Sequence, residues 1–164
     1  MSIDLVHKAI EKIEDARDVN RSFAGPASDD DIAEYEEQLG IKVDPEYRLF
    51  LSKYGAGSFG FLEIQGIVPK EKRIESDPRN STYNTQRLRS NLESPMGSAL
   101  YVIGTIGDGC EWVLRSGDEG GGQSPVYSWD MGIDYSSHEL YEEYASFGEF
   151  FLEKVSEAIS FSRE

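Results

Sequence analysis

The 164-residue chain has one cysteine, two histidines, and only 16 basic side chains against 31 acidic ones. Cys110 alone excludes an intramolecular disulfide and points to a reducing compartment. No apolar stretch approaches the roughly 20 residues that span a bilayer. Residues Met1 to Leu5 lack the basic region and apolar run of a secretory signal, so the expected location is the cytoplasm. His7, His138 and Cys110 fall in no metal-ligand spacing, and nothing local supports a Cys–His nucleophile pair. Phosphate-loop, G-x-S-x-G and H-E-x-x-H patterns are missing as well. Carboxylate pairs are unavoidable with 31 acids and carry no information. Asp118 and Glu119 lie in a glycine-rich run without the spacing of a calcium loop. The expectation is a chain without catalytic residues, metal or cofactor, and not an enzyme.

What is abundant is negative charge, and it is unevenly placed. The formal net charge is −15. Residues 1–68 carry 7 bases and 14 acids, residues 69–100 carry 6 and 4, and residues 101–164 carry 3 and 13. Such a field repels a phosphate backbone or an anionic membrane and attracts a basic protein. Neither nucleic acid nor membrane is therefore expected as a partner. The plainer alternative is that the acids serve solubility alone.

Hydrophobic residues make up 38% of the chain and aromatics 12%, enough for a core in a single domain spanning 1–164. Ile3, Val6, Ile10 and Ile13 follow a helical spacing. Residues 20–27 read as a linker. Ser28 with Asp31 has the form of a capping box, and Ile32, Tyr35 and Leu39 continue it as a helix stopped by Gly40. Asp44-Pro45 restarts a helix through Tyr47, Phe50, Leu51 and Tyr54, ended by Gly55. Residues 59–68 read as a strand or strand pair broken at Gly60 and Gly66. Residues 69–99 are a polar, weakly basic insertion with a short helix expected from Tyr83 to Leu92. Leu100–Ile106, Glu111–Arg115 and Pro125–Trp129 read as strands, the first two joined at Asp108-Gly109, a strong hairpin signal. An irregular acidic section follows. Ser146 with Glu149 then opens an amphipathic last helix through Phe147, Phe150, Phe151, Val155 and Ile159. Helices, then strands, then a helix predict an α+β domain with N-terminal helices, a central, mainly antiparallel sheet and a C-terminal amphipathic helix.

Gly55-Ala56-Gly57-Ser58-Phe59-Gly60 matches the letters of a dinucleotide fingerprint. That fingerprint needs a strand before it and a helix after it. Here the order is reversed, which predicts a glycine-rich helix-to-strand turn instead.

The segment from Val43 to Gly57, with Pro45, Tyr47, Phe50, Leu51, Gly55 and Gly57, resembles the signature of the SUKH superfamily. Leu62 to Gly66, Tyr101 to Gly104 with Gly107-Asp108-Gly109, Pro125 to Asp130, and Ser146 to Leu152 resemble its later motifs in the same order. The sequence departs at Asp44, where an apolar residue usually precedes the proline, and at Ala56 within the glycine pair. The resemblance implies an α+β domain that works by binding. The bacterial proteins it resembles are mostly immunity proteins that block a cognate polymorphic toxin, often a nuclease; the fungal ones are interaction hubs in cell-wall synthesis and signalling. The expected partner is a basic toxin domain, with a scaffold or regulatory role as the alternative and an enzyme acting on a cationic or cell-wall substrate as the third.

Three groups are candidate contact residues. Asp29, Asp30, Asp31, Glu34 and Glu37 crowd the start of one helix, where an ordinary capped, solvated face is the alternative. Asp108, Glu111, Asp118 and Glu119 flank the hairpin loops. Trp112, Tyr127 and Trp129 are candidate aromatic anchors, with a core role as the alternative.

Overall fold

The computed structural model describes residues 2–74, 76–117 and 123–164. Apolar residues at helical spacing make the first element, α1 (Ser2–Asp15), which buries Val6, Ala9 and Ile13. Its last carbonyls are gathered by one side chain. The Arg21 guanidinium donates to the Ile13 carbonyl at 2.6 Å and also to the carbonyls of Ala16 and Val19. A cation at a helix C-terminus meets the negative end of the dipole and satisfies orphan acceptors. Arg21 begins β1 (Arg21–Phe23), a strand inside the stretch read from sequence as a linker. Three residues are too few for alternation to register, and pairing alone defines this strand.

Local chemistry sets the next two helices. In α2 (Asp29–Leu39), Ser28 and Asp31 form the reciprocal capping box, and Gly40 ends the helix in the left-handed region. In α3 (Pro45–Tyr54), the Asp44 side chain accepts from the backbone of Glu46 and Tyr47, and Pro45 occupies the first turn. The chain then runs into β2 (Gly57–Phe59) and β3 (Leu62–Ile64), an antiparallel pair flanked by β1. Gly57 has φ +142, and a Cβ built there would lie 2.1 Å from the Ser22 carbonyl oxygen. At Gly66 a Cβ would lie 2.0 Å from the Gly55 carbonyl oxygen. Of the fingerprint-like glycines, Gly57 is therefore a point where two backbones touch, as is Gly55, where a Cβ would lie 2.2 Å from the Gly25 carbonyl oxygen.

Within 69–99, α4 (Ser81–Arg89) is capped by Asn80 and stops at Ser90. It is shorter than the helix expected through Leu92. Leu88 is buried, whereas Leu92 lies beyond the helix and is 99% exposed. Leu88→Ala is expected to cost about 2–3 kcal/mol, the low end for a buried leucine because it sits in a small cluster. Leu92→Ala should stay within about 0.5 kcal/mol of wild type, as exposed positions do. Urea unfolding of the two variants checks the pair.

The second sheet is an antiparallel meander of β4 (Leu100–Gly107), β5 (Cys110–Arg115), β6 (Val126–Asp130) and β7 (Tyr141–Tyr144). Asp108 and Gly109 both have positive φ, 52° and 82°, as a two-residue hairpin turn of the primed type demands. β7 falls in the section read as irregular; its Tyr-Glu-Glu-Tyr sequence shows no apolar alternation. The two sheets meet where the Gln65 amide donates to the Ile103 carbonyl at 2.9 Å.

α5 (Phe147–Ser162) closes the fold against α1. The main core lies between the helices and one face of the four-stranded sheet. Its centre is aromatic: Tyr47 and Phe147 have ring centroids 5.3 Å apart, and Phe50 and Phe151 5.5 Å. The opposite sheet face carries a smaller core of Leu88, Met96, Leu100, Val102, Val113 and Trp129.

Asp44 and Glu46 are buried carboxylates at the start of α3. Asp44 Oδ2 accepts from Ser124 N at 2.7 Å, while Oδ1 caps α3. Burial pushes the Asp44 carboxyl above its ordinary value, and the bonds from the Ser124, Tyr47 and Glu46 backbones pull the other way. Glu46 Oε1 accepts from Gly148 N at 2.8 Å, and the Gln123 amide donates to Oε2.

Candidate partner-binding surface

The structure separates the sequence-predicted residues into several environments. On α2, much of the acid is already matched within the chain. Asp31 belongs to the capping box, Asp29 pairs with Arg48 at 3.2 Å, and Glu34 pairs with Lys70 at 3.2 Å. Asp30 and Glu37 are exposed on the same helix. The face is less negative than its sequence suggests, because Arg48 and Lys70 arrive from neighbouring segments.

The hairpin residues divide too. Asp108 sits exposed at the turn. Glu111 is only 8% exposed and accepts from the Thr105 hydroxyl at 2.8 Å. That hydroxyl in turn accepts from the Gln65 amide at 3.1 Å, and Asn84 donates to Gln65 at 2.8 Å. Burial raises the Glu111 carboxyl above its usual value, opposed by the Thr105 bond and by the charge of Arg87. The residue belongs to a side-chain hydrogen-bond chain that reaches the surface at Thr105, rather than to an exposed loop. Asp118 and Glu119 lie outside the described residues.

Strand register decides the aromatics. Glu111 pairs with Trp129, and Trp112 with Ser128, so the two tryptophans occupy opposite faces of the sheet. Trp112 lies under α5, with Phe150 at 5.4 Å, Tyr144 at 5.9 Å and the Lys154 ammonium at 5.5 Å. Trp129, 1% exposed, stacks on Tyr135 at 6.3 Å, and the Asp130 N–H donates to the Tyr135 hydroxyl at 2.9 Å. Tyr127 shares that face, half-buried beneath the Arg115 guanidinium at 4.8 Å.

Tyr127 and Trp129 line an open groove of about 1110 Å³. Residues 93–99 form one wall and 131–140 the other, with Pro95, Leu100, Ile133 and Leu140 adding apolar surface. Glu93, Asp134 and Glu139 bring acid to it, with Arg115 and His138 also present. The loops are tied. Asn91 Oδ1 accepts from Glu93 N at 3.0 Å and from Ser94 N at 3.2 Å, and the Ser94 hydroxyl donates to the Ile133 carbonyl at 3.4 Å. Asp134 Oδ1 accepts from the Ser136 hydroxyl at 2.6 Å and its N–H at 3.0 Å, which holds that carboxyl below its ordinary value.

A second acidic feature lies outside the candidate contact residues. From 134 to 157 the chain carries seven acids and one base, Lys154. Glu142 and Glu143 lie on β7, and Glu149, Glu153 and Glu157 on α5. Burial raises the Tyr144 hydroxyl well above its ordinary range, and Glu153, Glu157 and Glu143 add to the effect. The excess of acids in residues 101–164 is the sequence signal for it, but no local pattern singles out these positions.

The histidines and the cysteine are dispersed. His7 and His138 are both exposed. The Cys110 thiol is pushed up by burial and by Asp130, opposite to the activation of a nucleophile. Among the described residues, no group of three His, Cys, Asp or Glu side chains converges as a metal site, and no helix is long and apolar enough to cross a membrane.

Fold and surface together define an α+β domain of helices and two antiparallel sheets with an acidic, aromatic-lined groove on one sheet face. The sequence model of the family SUKH_5, described as SMI1-KNR4 cell-wall, matches residues 6–156. The chain belongs to this family, within the SUKH superfamily. Membership is consistent with immunity or cell-wall related roles and with protein–protein interaction in general.

Proposed function

We propose that this protein is an immunity protein that binds a basic toxin domain, of nuclease type, and neutralises it by direct contact, without catalysing a reaction. The observation that carries the reading is the net charge of −15 on a member of this family, with acids gathered on β7, α5 and the groove loops. An acidic face steers a basic partner into encounter, and a domain that imitates a polyanion occupies the surface where a nuclease holds its substrate. The affinity itself comes from buried apolar anchors, which the groove offers. The competing reading is a scaffold or regulatory module in cell-wall synthesis or signalling, and family membership alone supports it equally. On either reading the protein works inside the cytoplasm and binds neither nucleic acid nor membrane.

Affinity capture from the native cells, eluted with a salt gradient and identified by mass spectrometry, tests the choice. The expected result is a basic toxin domain in near-equal amount. Its dissociation constant should rise at least about tenfold between low salt and roughly half-molar salt, as screening removes the steering. Recovery of cell-wall or signalling proteins instead would decide for the scaffold. A toxin complex indifferent to salt would remove the electrostatic part and leave the binding.

A further inference from the structure

We propose that the groove between residues 93–99 and 131–140 is the docking site for an extended, basic segment of the partner protein that carries one apolar anchor side chain. This rests on the binding role proposed above and assigns it a place. The groove floor is the sheet face bearing Tyr127 and Trp129, and large apolar side chains stand at its lip: Met131 is 41% exposed and Ile133 37%. Exposed apolar surface gathered at one concave place marks a contact site more than scattered apolar residues do.

Its charge selects the occupant. Glu93, Asp134 and Glu139 face the groove, and its one full cation, Arg115, lies over the Tyr127 ring. An apolar centre with an acidic rim is the complement of a lysine- or arginine-bearing segment with an apolar residue between the charges. A second copy of the chain is a poor occupant, since it would set acidic rims against each other. The ties from Asn91 and Ser94 and the Tyr135 hydroxyl bond hold the walls before any ligand arrives, so little ordering cost falls on binding.

The test uses the full chain, 15N-labelled, titrated with a short peptide of alternating lysine and leucine. An all-lysine peptide and a glutamate–leucine peptide of equal length are the controls. The lysine–leucine peptide is expected to shift the amides of residues 93–100 and 127–140. It should bind at least about tenfold tighter than the all-lysine peptide, since one leucine side chain buried from water supplies that much. Ile133→Glu, at an exposed position that the fold does not need, should abolish this preference while still binding the all-lysine peptide. Equal binding of the two basic peptides, or shifts centred on α5 and β7, would overturn the groove assignment and leave the partner proposal standing. Equal binding of the glutamate–leucine peptide would overturn the charge selection. If capture from cells yields no basic partner but the peptide maps to the groove, the toxin-binding reading fails and the site remains.

Discussion

Replacing Glu46 by alanine is expected to remove about 2–4 kcal/mol of stability, the cost of leaving a buried N–H donor without its charged acceptor and of the space the side chain filled. The carboxylate joins the first turn of α3 to Gly148 N in the first turn of α5, 102 residues away in sequence. Gly148 carries one of the amide groups that a helix N-terminus cannot satisfy internally, and negative charge there is favoured by the helix dipole. Alanine would leave that N–H and the Gln123 amide without this acceptor and empty the buried space the side chain fills. Glu46→Gln retains one oxygen for Gly148 but turns an amide donor towards Gln123, so it should lose less than alanine. Chemical denaturation measures both. A loss below about 1 kcal/mol for alanine would mean that water replaces the carboxylate, making the buried tie dispensable.

A larger effect is expected from a single added methyl group at Gly57. The new Cβ would fall 2.1 Å from the Ser22 oxygen and 2.7 Å from the Phe23 Cα, both backbone atoms that cannot rotate away. The positive φ adds about 1–3 kcal/mol of conformational strain, and forcing β1 from β2 adds about as much again or more. Gly57→Ala should therefore lose about 3–6 kcal/mol, or yield little folded protein. Gly25→Ala separates the contributions. Gly25 also has positive φ, at 111°, but open space where the Cβ would stand, so only strain should appear. If the two variants unfold at the same denaturant concentration, the close approach of strands is not what fixes glycine at 57.

These two positions show what was and was not legible in the sequence. Gly55 to Gly60 could be read as a helix-to-strand turn because a helix precedes it and a strand follows, but only Gly55 and Ala56 make that turn, and β2 already begins at Gly57. Glu46 could not be picked out, since its partners come from residues 123 and 148 and no local pattern points to them. The same division runs through the elements. Helices with caps and the Asp108-Gly109 hairpin follow from neighbours in sequence, whereas β1 and β7 exist through pairing with distant strands. Alternation along β5 places Glu111 and Trp112 on opposite faces, but which face α5 covers depends on tertiary packing. The surface was legible as a quantity of charge and not as a location. Pairing with Arg48 and Lys70 reduces the α2 cluster, while the acids after 134 are gathered by a strand and a helix that sequence placed only in part.

β7 is the final strand of its sheet, four residues long, with Glu142 and Glu143 in its centre and an irregular register against β6. Brevity, like charge and a bulge are the means by which strand edges avoid polymerising. Two molecules approaching edge to edge would set these glutamates against their own copies. The edge therefore resists fibril-like growth with itself, so a crowded solution of this protein is protected from self-templating by the carboxylates of its own last strand.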